Sequence, residues 1–159
     1  YWQGFCEYYA QGKTTRLPKM LGFQAAGAAP LVENRVIQSP ETVATAIRIG
    51  NPAGWQEAVQ AQQQSGGLFE KVSDEEILEA YRLLPSLEGV FAEPASAAPI
   101  AGLLKLARKG YFTQHATITV TLTGHGLKDP DTALLASACE PMHIPAHDQA
   151  VVRALGLKS

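Results

Sequence analysis

The chain has 159 residues, 46% of them apolar and 18% charged, with a net charge of −2; this is the composition of a globular domain with a sizeable core. The charge gives no electrostatic footprint for nucleic acid or for an anionic membrane, and no apolar run reaches the roughly 18 residues of a membrane span. Cys6 and Cys139 stand far apart, outside any C-x-x-C pattern. That spacing fits a reducing, cytoplasmic compartment, with a single bridge between them as the alternative. The chain starts at Tyr1 without Met, and its first residues read as the inside of an amphipathic helix. Exposed aromatics at a true terminus are unusual, so the expectation is a piece of a longer protein.

Residues 1–10 form an aromatic-rich helical segment, stopped by Gln11-Gly12. Residues 19–25 read as a short buried strand, which Gly22 and the Ala run after it keep thin. The chain from Pro30 to Ser39 is loop or short helix. Residues 41–47 are expected to be a short helix running into the breaker cluster Arg48-Ile49-Gly50-Asn51-Pro52. Pro52 suits the first position of the next helix, which Ser65-Gly66-Gly67 ends before a strand at 68–72. Ser73-Asp74-Glu75-Glu76 is a capping box opening a helix with Ile77, Leu78, Tyr81 and Leu84 on one face. Pro85 ends that helix. A short strand is expected at 89–92, then an Ala-rich helix from Glu93-Pro94 to near Gly110. The β-branched run 116–122 reads as a strand buried on both faces. Short helices are expected at 131–138 and 148–155, flanking a Pro-rich stretch.

Short strands alternating with helices predict an α/β fold: an open, mostly parallel twisted sheet with helices on both faces. Ligands bind such sheets beyond the carboxyl ends of the strands. That rule selects residues 48–52, residues 92–96 and the turn Thr123-Gly124-His125-Gly126. Each combines Gly or Pro with a polar side chain. Composition goes no further, and the plain alternatives stand beside each segment. The 123–126 turn could be only a tight turn, Glu93 could serve the positive end of its helix, and Asn51 could be a turn residue. Cys139, His143 and His147 have suggestive spacing, but Pro141 and Pro145 break any helix that would align them, so no metal site is expected.

Four ordered segments carry a family resemblance. Leu122-Thr123-Gly124-His125-Gly126-Leu127-Lys128-Asp129-Pro130 closely resembles the C-terminal motif of threonine synthases. Leu21-Gly22-Phe23-Gln24-Ala25-Ala26-Gly27-Ala28-Ala29-Pro30-Leu31-Val32 resembles a second segment of that family. Ala44-Thr45-Ala46-Ile47-Arg48-Ile49-Gly50-Asn51-Pro52 resembles a third, and Glu93-Pro94-Ala95-Ser96-Ala97 a fourth. The family consists of fold-type II pyridoxal-phosphate enzymes of the tryptophan-synthase-beta-like kind, which convert O-phospho-L-homoserine and water to L-threonine and phosphate.

The resemblance implies that residues 1–130 are the C-terminal part of a pyridoxal 5'-phosphate-binding catalytic domain and residues 131–159 a tail. It implies that the Thr123 hydroxyl bonds the pyridine nitrogen, that Gly124 and Gly126 let the backbone pass near the ring, that Gly50 and Asn51 lie against cofactor and substrate, and that Glu93 sits near the ring edge. A homodimer is the family expectation. No segment matches the family's Schiff-base lysine or its Gly/Asn-rich phosphate loop, which lie earlier in the family, and none of the seven lysines present replaces the anchor. The chain alone is therefore expected to be inactive and to contain no catalytic residue. By the family pattern the helix at Tyr1 would be the one whose N-terminus faces the phosphate. Two departures are Gly54, where the family often has Ser, and Pro85, which shortens a helix. The alternatives are another fold-type II enzyme, such as a threonine or serine dehydratase, and a non-catalytic domain reusing half of this fold.

Overall fold

The computed structural model describes residues 1–112, 116–136 and 142–157. Its centre is a parallel pair of strands, β1 (Leu21–Ala25) and β2 (Leu68–Val72), in register from Leu21 opposite Leu68 to Ala25 opposite Val72. Helix α1 (Trp2–Ala10) precedes the pair, and α2 (Pro30–Glu33) and α3 (Trp55–Ser65) lie within the crossover between its strands. Beyond β2 come α4 (Asp74–Leu83), α5 (Pro94–Arg108), α6 (Pro130–Ala136) and α7 (Asp148–Ala154). Among the described residues no helix is long and apolar enough to cross a membrane.

Side-chain alternation places helices on both faces of the strand pair. Phe23 points at α5, where a Cβ added to Gly102 would run into its ring. Its neighbour Gln24 therefore faces the other way, and its Oε1 accepts the N–H groups of Leu31 (2.9 Å) and Val32 (3.3 Å) in α2. The first turn of α2 thus obtains from a strand side chain the acceptor that its own N-cap, Ala29, lacks. The buried core gathers Ala25 and Val72 from the strand ends, Ile77, Ala80 and Tyr81 from α4, and Ala97, Ala98 and Ala101 from α5. Small residues on α5 let its backbone approach the sheet closely.

Local signals decide several element ends. Gly66, at φ 65°, closes α3 in the left-handed region that favours glycine. The capping box of α4 is complete: the Glu76 N–H donates to Ser73 Oγ at 3.2 Å and the Ser73 N–H donates to Glu76 Oε2 at 2.8 Å. Lys105 of α5 reaches across to the same Glu76 carboxylate (3.2 Å) and to the Lys71 carbonyl (2.7 Å), tying α5 to the junction of β2 and α4.

Five expectations need correction. Residues 41–47 do not form a helix; only Thr45–Ile47 make a 3-10 turn. The segment is held by distant partners instead, since Asp74 accepts from the Thr42 hydroxyl (2.5 Å) and the Val43 N–H (3.0 Å). Helix α3 starts at Trp55 behind Gly54, so Pro52 lies outside it. Pro85 does not stop the chain's coiling: α4 runs on into a wider π-type turn, Leu84–Glu88, which tolerates the missing N–H and ends at Gly89, φ 67°. The expected strand at 89–92 is reduced to one antiparallel bridge, Ala92 with His125. Residues 116–122 are extended but largely exposed and belong to no ladder, because no strand among the described residues lies beside them. Helices α6 and α7 fall where short helices were expected, α6 within the described part of its span. Cys139 lies outside the described residues, and Cys6 is a free thiol.

Two stability predictions follow from this framework. Replacing Ser73 with Ala removes the acceptor for the Glu76 N–H, and should lower unfolding stability by about 1 kcal/mol in urea titration. In the middle of β2, the Lys109 ammonium donates to Glu70 at 2.5 Å and holds that carboxyl below the ordinary carboxylate range. A lowered carboxyl stabilises the fold above its ordinary value, and that contribution is lost as pH falls through the lowered one. Lys109 is half exposed, so the effect after screening is roughly 0.5 kcal/mol. Denaturation between about pH 5 and pH 3 should show Glu70→Gln losing less stability than the parent over that interval.

Candidate cofactor site

The N-terminal turn of α5 and the 123–126 turn meet at one place. Their backbones are joined by the Glu93 N–H donating to the Gly124 carbonyl (2.9 Å) and the Gly126 N–H donating to the Phe91 carbonyl (3.0 Å). These two bonds flank the Ala92–His125 bridge, so three consecutive residues of each segment are in register. Pro94 at the first helical position fixes where α5 starts.

Side chains complete the junction. Ser96, 2% exposed, places its Oγ 2.8 Å from the Gly124 nitrogen, which donates to it, and 3.3 Å from Thr123 Oγ1. Glu93 is 7% exposed, and its carboxylate lies so close to Gly124 that an added Cβ would collide with it. Lys128 Nζ stands 3.8 Å from Glu93 Oε1 and supplies the nearby positive charge. A Cβ on Gly126 would likewise collide with the Phe91 ring. Both glycines are therefore required by close approach rather than by backbone angle. His125 orders its own turn: Nδ1 accepts the Leu127 N–H (3.1 Å), and the ring meets Phe91 edge-on, with centroids 5.6 Å apart.

Beyond the turn, Asp129 Oδ1 accepts the Thr132 N–H at the start of α6. Its Oδ2 and the Tyr81 hydroxyl are both buried without a hydrogen-bond partner among the described residues. Burial first, and the Asp129 charge second, push the Tyr81 phenol up from its ordinary value.

The second candidate segment sits apart. Gly50 is buried and Asn51 exposed. The Gly50 carbonyl accepts the Ile37 N–H at 3.0 Å, and a Cβ on Gly50 would strike the Ile37 carbonyl. Next to it a cleft of about 140 Å³, lined by Phe23, Gln24, Ile47, Ile49 and Pro52, opens at the carboxyl end of β1. No hydrogen bond among the described residues joins residues 48–52 to the junction at Thr123. Both nevertheless rest on α5, which the 3-10 turn preceding Gly50 contacts.

Thus Thr123, Gly124 and Glu93 come together, while Gly50 and Asn51 occupy a separate loop supported by the same helix. Ser96 was not singled out from the sequence. Its signal was the Glu-Pro-x-Ser start of an Ala-rich helix, where a serine ordinarily reads as a solvated first-turn residue. His147 caps α7 by accepting the Ala150 N–H (3.3 Å). Among the described residues, no group of three His, Cys, Asp or Glu side chains is placed to hold a metal ion.

Residues 2–124 match the family of pyridoxal-phosphate dependent enzymes. The chain belongs to that family. Its similarity to threonine synthases is high: 57% identity to that of Mycobacterium leprae over 99% of this chain and 43% of the relative, and 58% to that of Synechocystis sp. over 84% and 35%. The chain thus spans less than half the length of these relatives. A solved structure of O-ureido-L-serine synthase, a lysine-to-alanine mutant bound to O-ureido-L-serine, is similar with a TM-score of 0.57 and 18% identity, over 96% of this chain and 41% of that one. That likeness speaks to the fold alone.

Pyridoxal phosphate is the cofactor of this family, and the junction suits its ring. Thr123 is exposed and has one side-chain partner among the described residues, Ser96, so its hydroxyl retains capacity for a second hydrogen bond. A neutral hydroxyl is a sound partner for an aromatic ring nitrogen. The space beside Gly124 is already taken by Glu93. Gly124→Ala should therefore displace the Glu93 carboxylate and lower stability by about 1–3 kcal/mol in chemical denaturation.

Proposed function

We propose that the protein to which this chain belongs is a threonine synthase, converting O-phospho-L-homoserine and water to L-threonine and phosphate. The observation that supports this reading most is the similarity to threonine synthases, sustained along nearly the whole chain. On this reading residues 1–130 are the C-terminal part of the catalytic domain and residues 131–159 a tail. The protein works in the cytoplasm as a homodimer on a small-molecule substrate, apart from nucleic acids and membranes.

Bound pyridoxal phosphate supplies an electron sink for the pair released when a substrate C–H bond breaks. The chain's own residues bind and orient. Thr123 holds the ring nitrogen by its hydroxyl. A carboxylate at that place would favour a protonated nitrogen, whereas a neutral hydroxyl does not. Gly124, whose missing side chain leaves room for Glu93, lets the backbone pass near the ring, and Glu93 lies at its edge. Gly50 and Asn51 form the wall facing cofactor and substrate, at the carboxyl end of β1, where parallel strands present their ligand-facing loops. The lysine that anchors the cofactor and the loop that holds its phosphate belong to the longer protein outside residues 1–159, so the isolated chain releases no phosphate.

The test is phosphate release from O-phosphohomoserine by the full-length protein, with threonine as the other product. Formation of a 2-oxo acid and ammonia from threonine or serine, without phosphate release, would favour a dehydratase. No turnover of any of these would favour a binding domain. Thr123→Ala should change the absorption of the bound cofactor and reduce turnover roughly tenfold or more, the scale of one lost hydrogen bond at a developing charge.

A further inference from the structure

The hydroxyl of Ser96 occupies a position from which the direction of the Thr123 hydrogen bond can be worked out. A backbone N–H can only donate, so the Gly124 N–H, 2.8 Å away, uses the Ser96 oxygen as its acceptor. The Ser96 proton must then go elsewhere. Ser96 is 2% exposed, and among the described residues the remaining partner of its Oγ is Thr123 Oγ1 at 3.3 Å. A buried hydroxyl proton without an acceptor is costly, which favours Ser96 as donor and Thr123 as acceptor in that bond. The proton of Thr123 is then left over, on an exposed residue whose hydroxyl has no other partner among the described residues.

We propose that Ser96 is a positioning residue for the cofactor contact: it accepts from Gly124, donates to Thr123, and so leaves Thr123 as a hydrogen-bond donor toward an unprotonated ring nitrogen. This rests on the reading that Thr123 faces the ring. The chain of donors runs in one direction, Gly124 N–H to Ser96 to Thr123, and its origin cannot reverse because an amide nitrogen offers no acceptor. The same helix turn carries Glu93, whose backbone N–H grips the Gly124 carbonyl. Gly124 is therefore held from both of its backbone polar groups, and the Thr123 side chain inherits that fixed origin. Fixing a two-atom hydroxyl arm in this way lowers the entropy lost when the ring binds.

The experiment uses the full-length holoenzyme carrying cofactor labelled with ¹⁵N in the ring. It compares the parent with Ser96→Ala, Ser96→Cys and Thr123→Ala by the ring-nitrogen resonance, the absorption of the bound cofactor and the cofactor dissociation constant. Ser96→Ala should move the ring-nitrogen resonance in the same direction as Thr123→Ala and weaken cofactor binding roughly fivefold to tenfold, the effect of one hydrogen bond lost. Ser96→Cys keeps the volume but donates poorly, so it should move the resonance too, and it serves if the alanine variant does not fold. A Ser96 variant that melts earlier while its resonance and absorption stay at the parent's values overturns the proposal, because a purely structural serine predicts that result. A resonance moved by Thr123→Ala but by neither Ser96 variant also overturns it and leaves the Thr123 contact standing. A resonance moved by none of them overturns the Thr123 contact itself, and the role of Ser96 with it.

Discussion

The structure depends on how closely α5 can approach the two parallel strands. The middle of its buried face carries Ala97, Ala98, Ala101 and Gly102, and at Gly102 even one added carbon would meet the Phe23 ring. A helix with larger residues there would stand farther from the sheet. The approach sets two things at once. It seals the core over Val72 and Ala25, and it fixes the height of the helix's first turn relative to the carboxyl end of β1. Both candidate loops lean on that helix, so the small-residue face is as much a constraint on the site as on stability.

The site is organised by backbone more than by side chains. Glu93, Gly124, Phe91 and Gly126 are joined through main-chain groups, and Ser96 adds side-chain bonds to the Gly124 N–H and the Thr123 hydroxyl. Such an arrangement places a hydroxyl with little conformational freedom, which is what recognition of a flat aromatic ring requires. Glu93 contributes by filling the space that Gly124 leaves, and Lys128 moderates the buried charge. The glycines are consequently as specific in their demands as the polar residues.

Much of the frame was legible in the residues. The strands at 68–72 and near 21–25, the capping box at Ser73 and the Ala-rich helix after Pro94 all follow local rules that need no distant partner. Legibility failed where a segment's conformation is decided from afar. Residues 41–47 carry a helical pattern, yet Asp74, thirty-odd residues downstream, takes the Thr42 hydroxyl and the Val43 N–H and holds the chain open. Residues 116–122 carry a buried-strand pattern, yet a β-branched run specifies only that a partner is wanted, and no strand among the described residues supplies one. Ser96 escaped notice for a similar reason, since its partners lie 27 and 28 positions away.

The sequence by itself determined the class of fold, the family and the turn at Thr123, because those rest on composition, period and a run of specific residues. Only the tertiary structure decided that Glu93, Ser96, Thr123 and Gly124 form one junction while Gly50 and Asn51 stand on a separate loop. It also decided that the Gly124 N–H donates to Ser96 and the Glu93 N–H to the Gly124 carbonyl within that junction. The physical reason is that hydrogen-bond direction and close contact depend on distances between segments far apart in the chain, and no local pattern encodes those distances.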